Sequence, residues 1–217
     1  MQKGFTLSEL LLSLFIVGVV AVLSVPVLLN NVNNKTFATQ IKNMSATIEQ
    51  LAQDELLTHR TRDLSNTDFA DPEKLLSNNH FSIVKSCNTT ESLTKCWKTN
   101  ATGNDKITYK NLNKSNINIE GANTIILKNG VIFRYTTESN DGRTVGLFFM
   151  DINGNDKPNI AGRDLFAFWV DRNGNVVDES NAKNLNETLA NKINKCKTGL
   201  AGECYGALAE NNWKMDY

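Results

Sequence analysis

The chain has 217 residues, of which 41% are hydrophobic and 21% are charged, a balance that is ordinary for a folded protein. Lysine and arginine together number 23, as do aspartate and glutamate, so the formal net charge is zero. A neutral chain does not attract polyanions, which argues against nucleic acid or an anionic surface as its partner. The length favours one globular domain in addition to an N-terminal helix.

The first feature along the chain is an apolar stretch at residues 5–29, in which Glu9 is the one charged residue. The stretch is long enough to cross a bilayer, which takes about 20 apolar residues. A secretory signal peptide is cut after its apolar run, whereas the Gly4-Phe5 junction lies before this one. Lys3 lies near the front, which favours a cytoplasmic N-terminus. Cleavage after Gly4 would create an amine on Phe5, and that amine would pair with Glu9 in the same or a neighbouring chain.

The pattern is carried by the leader Lys3-Gly4-Phe5-Thr6-Leu7, the acid Glu9, Gly18 and Pro26. It resembles the leader and first helix of type IV pilins and type II secretion pseudopilins. The resemblance implies that prepilin peptidase cuts between Gly4 and Phe5 and methylates Phe5. It also implies that Glu9 meets the amine of an adjacent subunit and that Pro26 kinks the helix. The alternative is a plain single-pass signal anchor in which Glu9 snorkels to the membrane edge.

Beyond residue 29 the apolar residues recur at helical spacing. They are Val32, Phe37, Ile41, Met44, Ile48, Leu51 and Leu56. We therefore predict one helix from about Leu7 to Thr58. Its half over residues 5–29 suits a membrane or a filament core, and its half over residues 30–58 is amphipathic. Pro26 removes one backbone hydrogen bond and clashes with the preceding turn, so a kink is expected there.

The remaining residues, 59–217, are predicted to form a globular pilin-like domain. Residues 59–122 are polar and irregular, with short apolar pieces. Over residues 123–178 the period changes to two, and Asn-Gly turns at Asn129-Gly130 and Asn173-Gly174 separate apolar runs. This pattern predicts an antiparallel meander of four to five strands. A long helix packed on such a meander is an α+β arrangement, which the pilin resemblance also implies.

The C-terminal segment, residues 179–217, begins with helical spacing. It is then predicted to form a loop over residues 197–203 and an aromatic tail, in a region closed by a disulfide. The irregular segments and the loose tail favour a minor pilin or pseudopilin over a major subunit.

Four cysteines lie beyond the membrane stretch, on the side expected to be oxidising: Cys87, Cys96, Cys196 and Cys204. Three pairings are possible, and the local scheme of Cys87 with Cys96 and Cys196 with Cys204 is favoured because it closes short loops. A zinc site takes ligands that are clustered in sequence. His59 and His80 are remote from each other and from the cysteines, so we predict that both are surface polar positions.

Residues 151–164 join two predicted strands and are rich in oxygen ligands. The candidate calcium ligands are Asp151, Asn153, Asn155 and Asp156, whose spacing resembles the opening of an EF-hand. Gly154 is misplaced for that motif, and Gly162 stands where a closing glutamate is required. Two interpretations stay open: an Asx-turn loop that needs no metal, and a calcium site, which some pseudopilins support by analogy.

The favoured function is that of a structural subunit of a type IV pilus or a type II secretion pseudopilus. The implied partners are homologous subunits, prepilin peptidase, an inner-membrane assembly platform with its ATPase, and membrane lipid. The predicted location is the inner membrane, with the C-terminal domain outside the cytoplasm, and then a periplasmic or extracellular filament. The alternative is an anchored envelope module that binds a ligand such as calcium and does not polymerise. An enzyme is disfavoured because no catalytic motif is found.

Overall fold

The structure is a computed structural model that describes residues 6–77, 80–199 and 201–217, without the side chains of residues 26–31. The chain divides into two compact units, Met1–Thr36 and Phe37–Tyr217. The first helix, α1, runs over Leu7–Thr58 and has the predicted bounds. Its segment Leu7–Val25 is long and apolar enough to cross a membrane, and none of it is buried. The side chain of Pro26 lies outside the described residues, so the kink stays a prediction.

In the second unit, α1 presents an apolar face to the core, because its apolar residues recur every three or four positions. The buried residues of this face are Ala38, Ile41, Ser45, Ile48, Leu51, Ala52, Glu55 and Leu56. Phe37 and Met44 are partly buried against the same core. The amphipathic half of the predicted helix therefore packs as expected, with one carboxylate, Glu55, on its buried face.

The core lies against a six-stranded antiparallel sheet, so the α+β pilin-like architecture predicted from the sequence is observed. Its strands are β1 (Ile83–Cys87), β4 (Thr124–Leu127), β5 (Ile132–Thr137), β6 (Thr144–Asp151), β7 (Leu165–Asp171) and β8 (Val176–Val177), in that spatial order. A separate two-stranded sheet contains β2 (Tyr109–Lys110) and β3 (Asn116–Ile117). The strands from β4 to β8 form the predicted meander, with each strand paired to the next along the chain.

Short helical elements complete the described chain. They are the 3-10 turns Leu64–Asn66, Asp68–Ala70 and Gly103–Asp105, the π-helical turn Ser92–Cys96, and the helices α2 (Pro72–Ser77), α3 (Glu179–Ala182), α4 (Leu189–Thr198) and α5 (Ala201–Glu210). Residues 59–122, which were predicted to be irregular, contain the strand β1, and this strand pairs with β4 at the edge of the sheet. Only one end residue of β1 is buried, so this edge strand lacks the apolar alternation that identifies a strand in sequence.

The loop predicted over residues 197–203 is shorter than expected, because α4 ends at Thr198 and α5 begins at Ala201. The predicted tail is also shorter, because Tyr205 lies in α5 and residues 211–217 alone follow that helix. Gly199 ends α4 with a φ of 125°, and the next residues of the new helix are buried. Added Cβ atoms at Gly202 and Gly206 would lie 2.6 Å from the ring of Trp169 and 2.0 Å from Asp178 Oδ2. Glycine is a poor helix former, so these residues suggest a loop in sequence, whereas here they allow close packing.

We expect Gly146→Ala to destabilise the folded chain. A Cβ at this position of β6 would lie 2.2 Å from the hydroxyl oxygen of Tyr135, whose ring is fully buried. The same hydroxyl donates a hydrogen bond to the Phe69 carbonyl at 2.7 Å, so the ring moves only by giving up that bond. Overpacking of this kind costs about 1–3 kcal/mol. A thermal unfolding midpoint equal to that of the wild type would show that the Tyr135 ring moves aside without a loss of stability.

Candidate functional site

The first turn of α1 holds the Glu9 carboxylate in a capping box. The backbone N–H and the hydroxyl of Thr6 donate to Glu9 Oε2 at 2.8 and 2.9 Å. In return, the Glu9 N–H donates to Thr6 Oγ1 at 3.3 Å. This reciprocal pattern closes a helix N-terminus, where the helix dipole also favours a negative charge. The Thr-x-x-Glu signature is visible in the sequence, although the contribution of Thr6 was not anticipated there.

Glu9 lies in the first turn of a helix whose large apolar side chains are all exposed over the membrane-length segment. Leu7 is 76% exposed and Leu23 is 69% exposed. An apolar surface of this extent requires a covering of lipid or protein. The Glu9 carboxylate therefore lies at the start of a surface that lipid or protein must cover.

The loop at residues 151–164 is organised around two buried carboxylates. Asp151 ends β6, and its Oδ2 accepts a hydrogen bond from the Tyr109 hydroxyl at 2.7 Å. Asp164 accepts backbone N–H donors from Asn159 and Ile160 at 2.7 and 2.6 Å. Burial raises the pKa of Asp164 to about 6. Burial, and then the charge of Asp164, raise the pKa of Asp151 well above its usual range.

The candidate calcium ligands named from the sequence differ in burial. Asp151 is fully buried and Asn153 and Asn155 are partly buried, whereas Asp156 is exposed and Asp164 supplies the second buried carboxylate. Among the described residues, three buried amide oxygens of this loop lack a hydrogen-bond partner: those of Asn153, Asn155 and Asn159. Buried amide oxygens are normally paired, and oxygen donors of these types suit calcium.

The same loop also satisfies much of its own polar chemistry, as an Asx-turn loop does without a metal. The Asn153 side chain donates to the Asp156 and Lys157 carbonyls at 3.2 and 2.9 Å. The Asn155 side chain donates to the Cys96 carbonyl at 3.0 Å. Because the three amide oxygens stay unpaired, we keep calcium as a proposal for this loop. In this proposal the buried Asp164 replaces the exposed Asp156 as a ligand.

Both the stability of the chain and its response to calcium are expected to depend on pH. The folded-state pKa of Asp164, about 6, lies above its unfolded value, so the folded state binds more protons between pH about 4 and 6. Stability should therefore fall as the pH rises through that window, by about 3 kcal/mol for this group. Calcium requires ionised carboxylates, so it should raise the thermal midpoint at pH 7.5 and have little effect at pH 4.5.

Two asparagine variants separate the ligand sets. Asp164→Asn should remove the calcium response and the part of the pH dependence that Asp164 contributes, whereas Asp156→Asn at the exposed position should leave both unchanged. Thermal unfolding followed by circular dichroism, with magnesium in place of calcium as an ion control, measures these effects. If calcium does not shift the thermal unfolding midpoint at pH 7.5, the calcium proposal is wrong and the Asx-turn interpretation remains.

The four cysteines form the two local disulfides that the sequence favoured. Cys87 at the end of β1 pairs with Cys96 in the π-helical turn, and Cys196 of α4 pairs with Cys204 of α5. All four are buried. Each bond closes a loop with a sequence separation of 9 or 8, for which a contribution of about 2–3 kcal/mol is expected.

His59 and His80 are partly exposed, but the structure places both beside the same buried carboxylate. Their ring nitrogens lie 3.4 and 3.9 Å from the two oxygens of Glu55. Glu55 was read in sequence only as part of the helix, so this grouping was missed. No local spacing could have revealed it, because the two histidines belong to different segments.

Comparison with known proteins gives a match at the start of the chain. The model of the prokaryotic N-terminal methylation motif matches residues 1–25. No curated protein and no solved structure matches the chain. Gly4 and Phe5 fall inside the matched range but outside the residues that the structure describes, so their roles stay predictions. With Glu9 at the start of an exposed apolar helix, the match shows that residues 1–25 contain a leader motif of the type IV pilin and pseudopilin type.

Proposed function

We propose that the chain is a structural subunit of a type IV pilus or a type II secretion pseudopilus, assembled through its N-terminal helix. The observation that carries this proposal is the position of Glu9, held at the start of an apolar helix inside a methylation-motif leader. A simple anchor needs neither a carboxylate in its apolar segment nor a processing motif before it.

Processing supplies the partner of the carboxylate. Prepilin peptidase hydrolyses the Gly4–Phe5 peptide bond, which leaves a carboxylate on Gly4 and a free amine on Phe5. Methylation of this nitrogen keeps it basic, so the new N-terminus remains a cation. The mature chain then begins one residue before Thr6, which already holds Glu9.

Assembly then brings the cation of one subunit to Glu9 of another. Within one chain, Thr6 satisfies part of the carboxylate's hydrogen-bonding capacity but supplies no opposite charge. When the apolar helices bundle and exclude water, an unpaired carboxylate becomes costly, and a pair with a neighbouring amine offsets that cost. Such a pair forms at one axial offset between helices, so it also sets the register of the subunits.

The subunit first resides in the inner membrane as a single-pass protein, held by Leu7–Val25, with lipid around the helix. From there the assembly platform and its ATPase transfer it to the filament, where homologous subunits replace lipid. The globular domain faces the periplasm or the exterior, an oxidising compartment that suits its two disulfides. Because residues 201–210 form a packed helix, the loose tail that favoured a minor subunit is limited to residues 211–217.

Mass spectrometry of the mature N-terminus tests the proposal. In cells that contain prepilin peptidase, the chain is expected to begin at N-methylated Phe5, and in cells without the enzyme it should retain residues 1–4. The same preparation is fractionated into membrane and sheared filaments. A chain that starts at Met1 in both strains would contradict the proposal and leave a simple signal anchor. A processed chain that never enters filaments would favour an anchored binding module.

A further inference from the structure

Two imidazoles and two carboxylates meet where the end of α1 approaches two segments that are remote in sequence. This Glu55 cluster consists of Glu55, His59, Asp68 and His80. Glu55 and His59 lie one turn apart on α1, Asp68 begins a 3-10 turn, and His80 precedes β1. The cluster lies entirely within the second unit and is separate from the 151–164 loop.

Glu55 forms the buried base of the cluster, with its side chain 5% exposed. Its Oε2 accepts the Asp68 N–H at 3.3 Å and lies 3.4 Å from His59 Nδ1. Its Oε1 faces His80 Nε2 at 3.9 Å. A buried carboxylate is stable only when a cation or strong donors compensate it. Within the described part of the chain, the ion-pair partners of Glu55 are these two imidazoles, with no lysine or arginine among them.

The hydrogen bonding of His59 orients one ring nitrogen as a ligand. His59 Nδ1 lies 3.1 Å from the backbone carbonyl of Glu55, which assigns the proton to Nδ1. The Nε2 atom then carries a lone pair. It faces Asp68 Oδ1 at 4.0 Å, a separation too long for a hydrogen bond. Metal-binding histidines commonly donate their other N–H to a backbone carbonyl in this way.

The spacing of the donors suits a small ion after modest adjustment. Glu55, His59 and Asp68 each offer one ligand atom, and all three atoms lie within 4.8 Å of one another. Four donors at zinc bond lengths are about 3.3 Å apart in a tetrahedron, so separations that reach 4.8 Å must shorten by up to about 1.5 Å. The side chains of His59, Asp68 and His80 are 36%, 32% and 42% exposed. They have room to rotate, and an ion can reach them from solvent.

We propose that the Glu55 cluster binds a divalent transition-metal ion, zinc in the first place, with Glu55, Asp68, His80 and Nε2 of His59 as its ligands. Imidazole nitrogen suits zinc, whereas calcium and magnesium prefer sites made wholly of oxygen. The ion offsets the charge of the buried Glu55 carboxylate. It also joins three segments of the domain, so zinc stabilises the folded chain in proportion to its occupancy.

Zinc binding is tested on the tag-free full chain in detergent micelles, stripped with EDTA and dialysed. Calorimetric titration with zinc chloride at pH 7.5 is expected to show one saturable site per chain, and the thermal midpoint should rise with zinc concentration. Cobalt(II) in place of zinc should give the visible absorption of a four-coordinate site. Absence of a saturable site would overturn the proposal.

His80→Ala is the informative variant, because His80 is the most exposed ligand and its loss leaves the core intact. We expect zinc affinity to fall about tenfold or more, together with the cobalt absorption. Asp71→Asn is the matched control: Asp71 is an exposed neighbour outside the cluster that caps α2, and asparagine keeps the cap. If His80→Ala binds zinc with wild-type affinity, the assignment of His80 as a ligand is wrong. It is also wrong if the variant lowers the thermal unfolding midpoint equally with and without zinc, because His80 then has a structural role alone.

Discussion

We expect Glu9→Ala to abolish incorporation of the chain into filaments while leaving the globular domain folded and the chain inserted in the membrane. The substitution removes the partner of the incoming amine and leaves a cation without a counter-charge inside the helix bundle. Breaking one side of a buried ion pair lowers incorporation by roughly 100-fold or more. Glu9 belongs to the unit Met1–Thr36 and the domain to the compact unit Phe37–Tyr217, so the stability of the domain should not change. Quantitative immunoblots of sheared filaments and membranes measure the partition.

Two further variants separate charge from local structure. Glu9→Gln keeps the size and polarity of the side chain but not its charge, so it should fail in the same way. Ser13→Ala is the control, since Ser13 is exposed on the same helix and only donates to the Glu9 carbonyl, at 2.7 Å. It should assemble normally. Filaments with wild-type amounts of Glu9→Gln would rule out charge pairing as the assembly mechanism.

The parts of the fold that were predicted correctly depend on local patterns. The helix Leu7–Thr58 follows from apolar spacing, and that spacing is set by the helical repeat itself. The turn at Asn129-Gly130 separates β4 from β5 because Gly130, at a φ of 89°, accepts the left-handed conformation that the turn requires. Sequence neighbours alone determine both features, so the sequence was sufficient for them.

The parts that were missed depend on contacts between distant segments. The edge strand β1 is defined by its pairing with β4, not by its own pattern. The glycines of α5 are explained by Trp169 and Asp178, which lie well before them in the chain. Asp164 lies beside Asp151 because β6 pairs with β7, in a register that places Asp151 opposite Leu165. The Glu55 cluster likewise requires α1, Asp68 and His80 to be brought together by the tertiary fold.

The largest effect on stability is expected from Lys192→Met. Lys192 of α4 is 2% exposed and pairs with Asp178, which is 3% exposed, and with Glu210 of α5. Burial lowers the pKa of Lys192, but its hydrogen bonds to both carboxylates outweigh burial and raise that pKa above its usual value. The contribution of Lys192 to the free energy of unfolding is therefore complete below its unfolded-state pKa. It is lost as the pH rises through the higher folded-state pKa, so a measurement at pH 7 includes the whole contribution.

Methionine fills the space of lysine but leaves the buried Asp178 carboxylate without a cation, which costs about 3–5 kcal/mol. Lys183→Met is the matched control, because Lys183 is 43% exposed and pairs with Glu179 one turn away at 2.6 Å. It should cost less than about 1 kcal/mol. Adding Asp178→Asn to Lys192→Met should recover part of the loss, since asparagine removes the stranded charge and still caps α3 through the bond to the Asn181 N–H. Denaturant unfolding of the wild type, the two methionine variants and the double variant measures these losses of stability. Equal losses in Lys192→Met and Lys183→Met would mean that the buried pair of Lys192 with Asp178 stabilises the chain no more than the pair of Lys183 with Glu179.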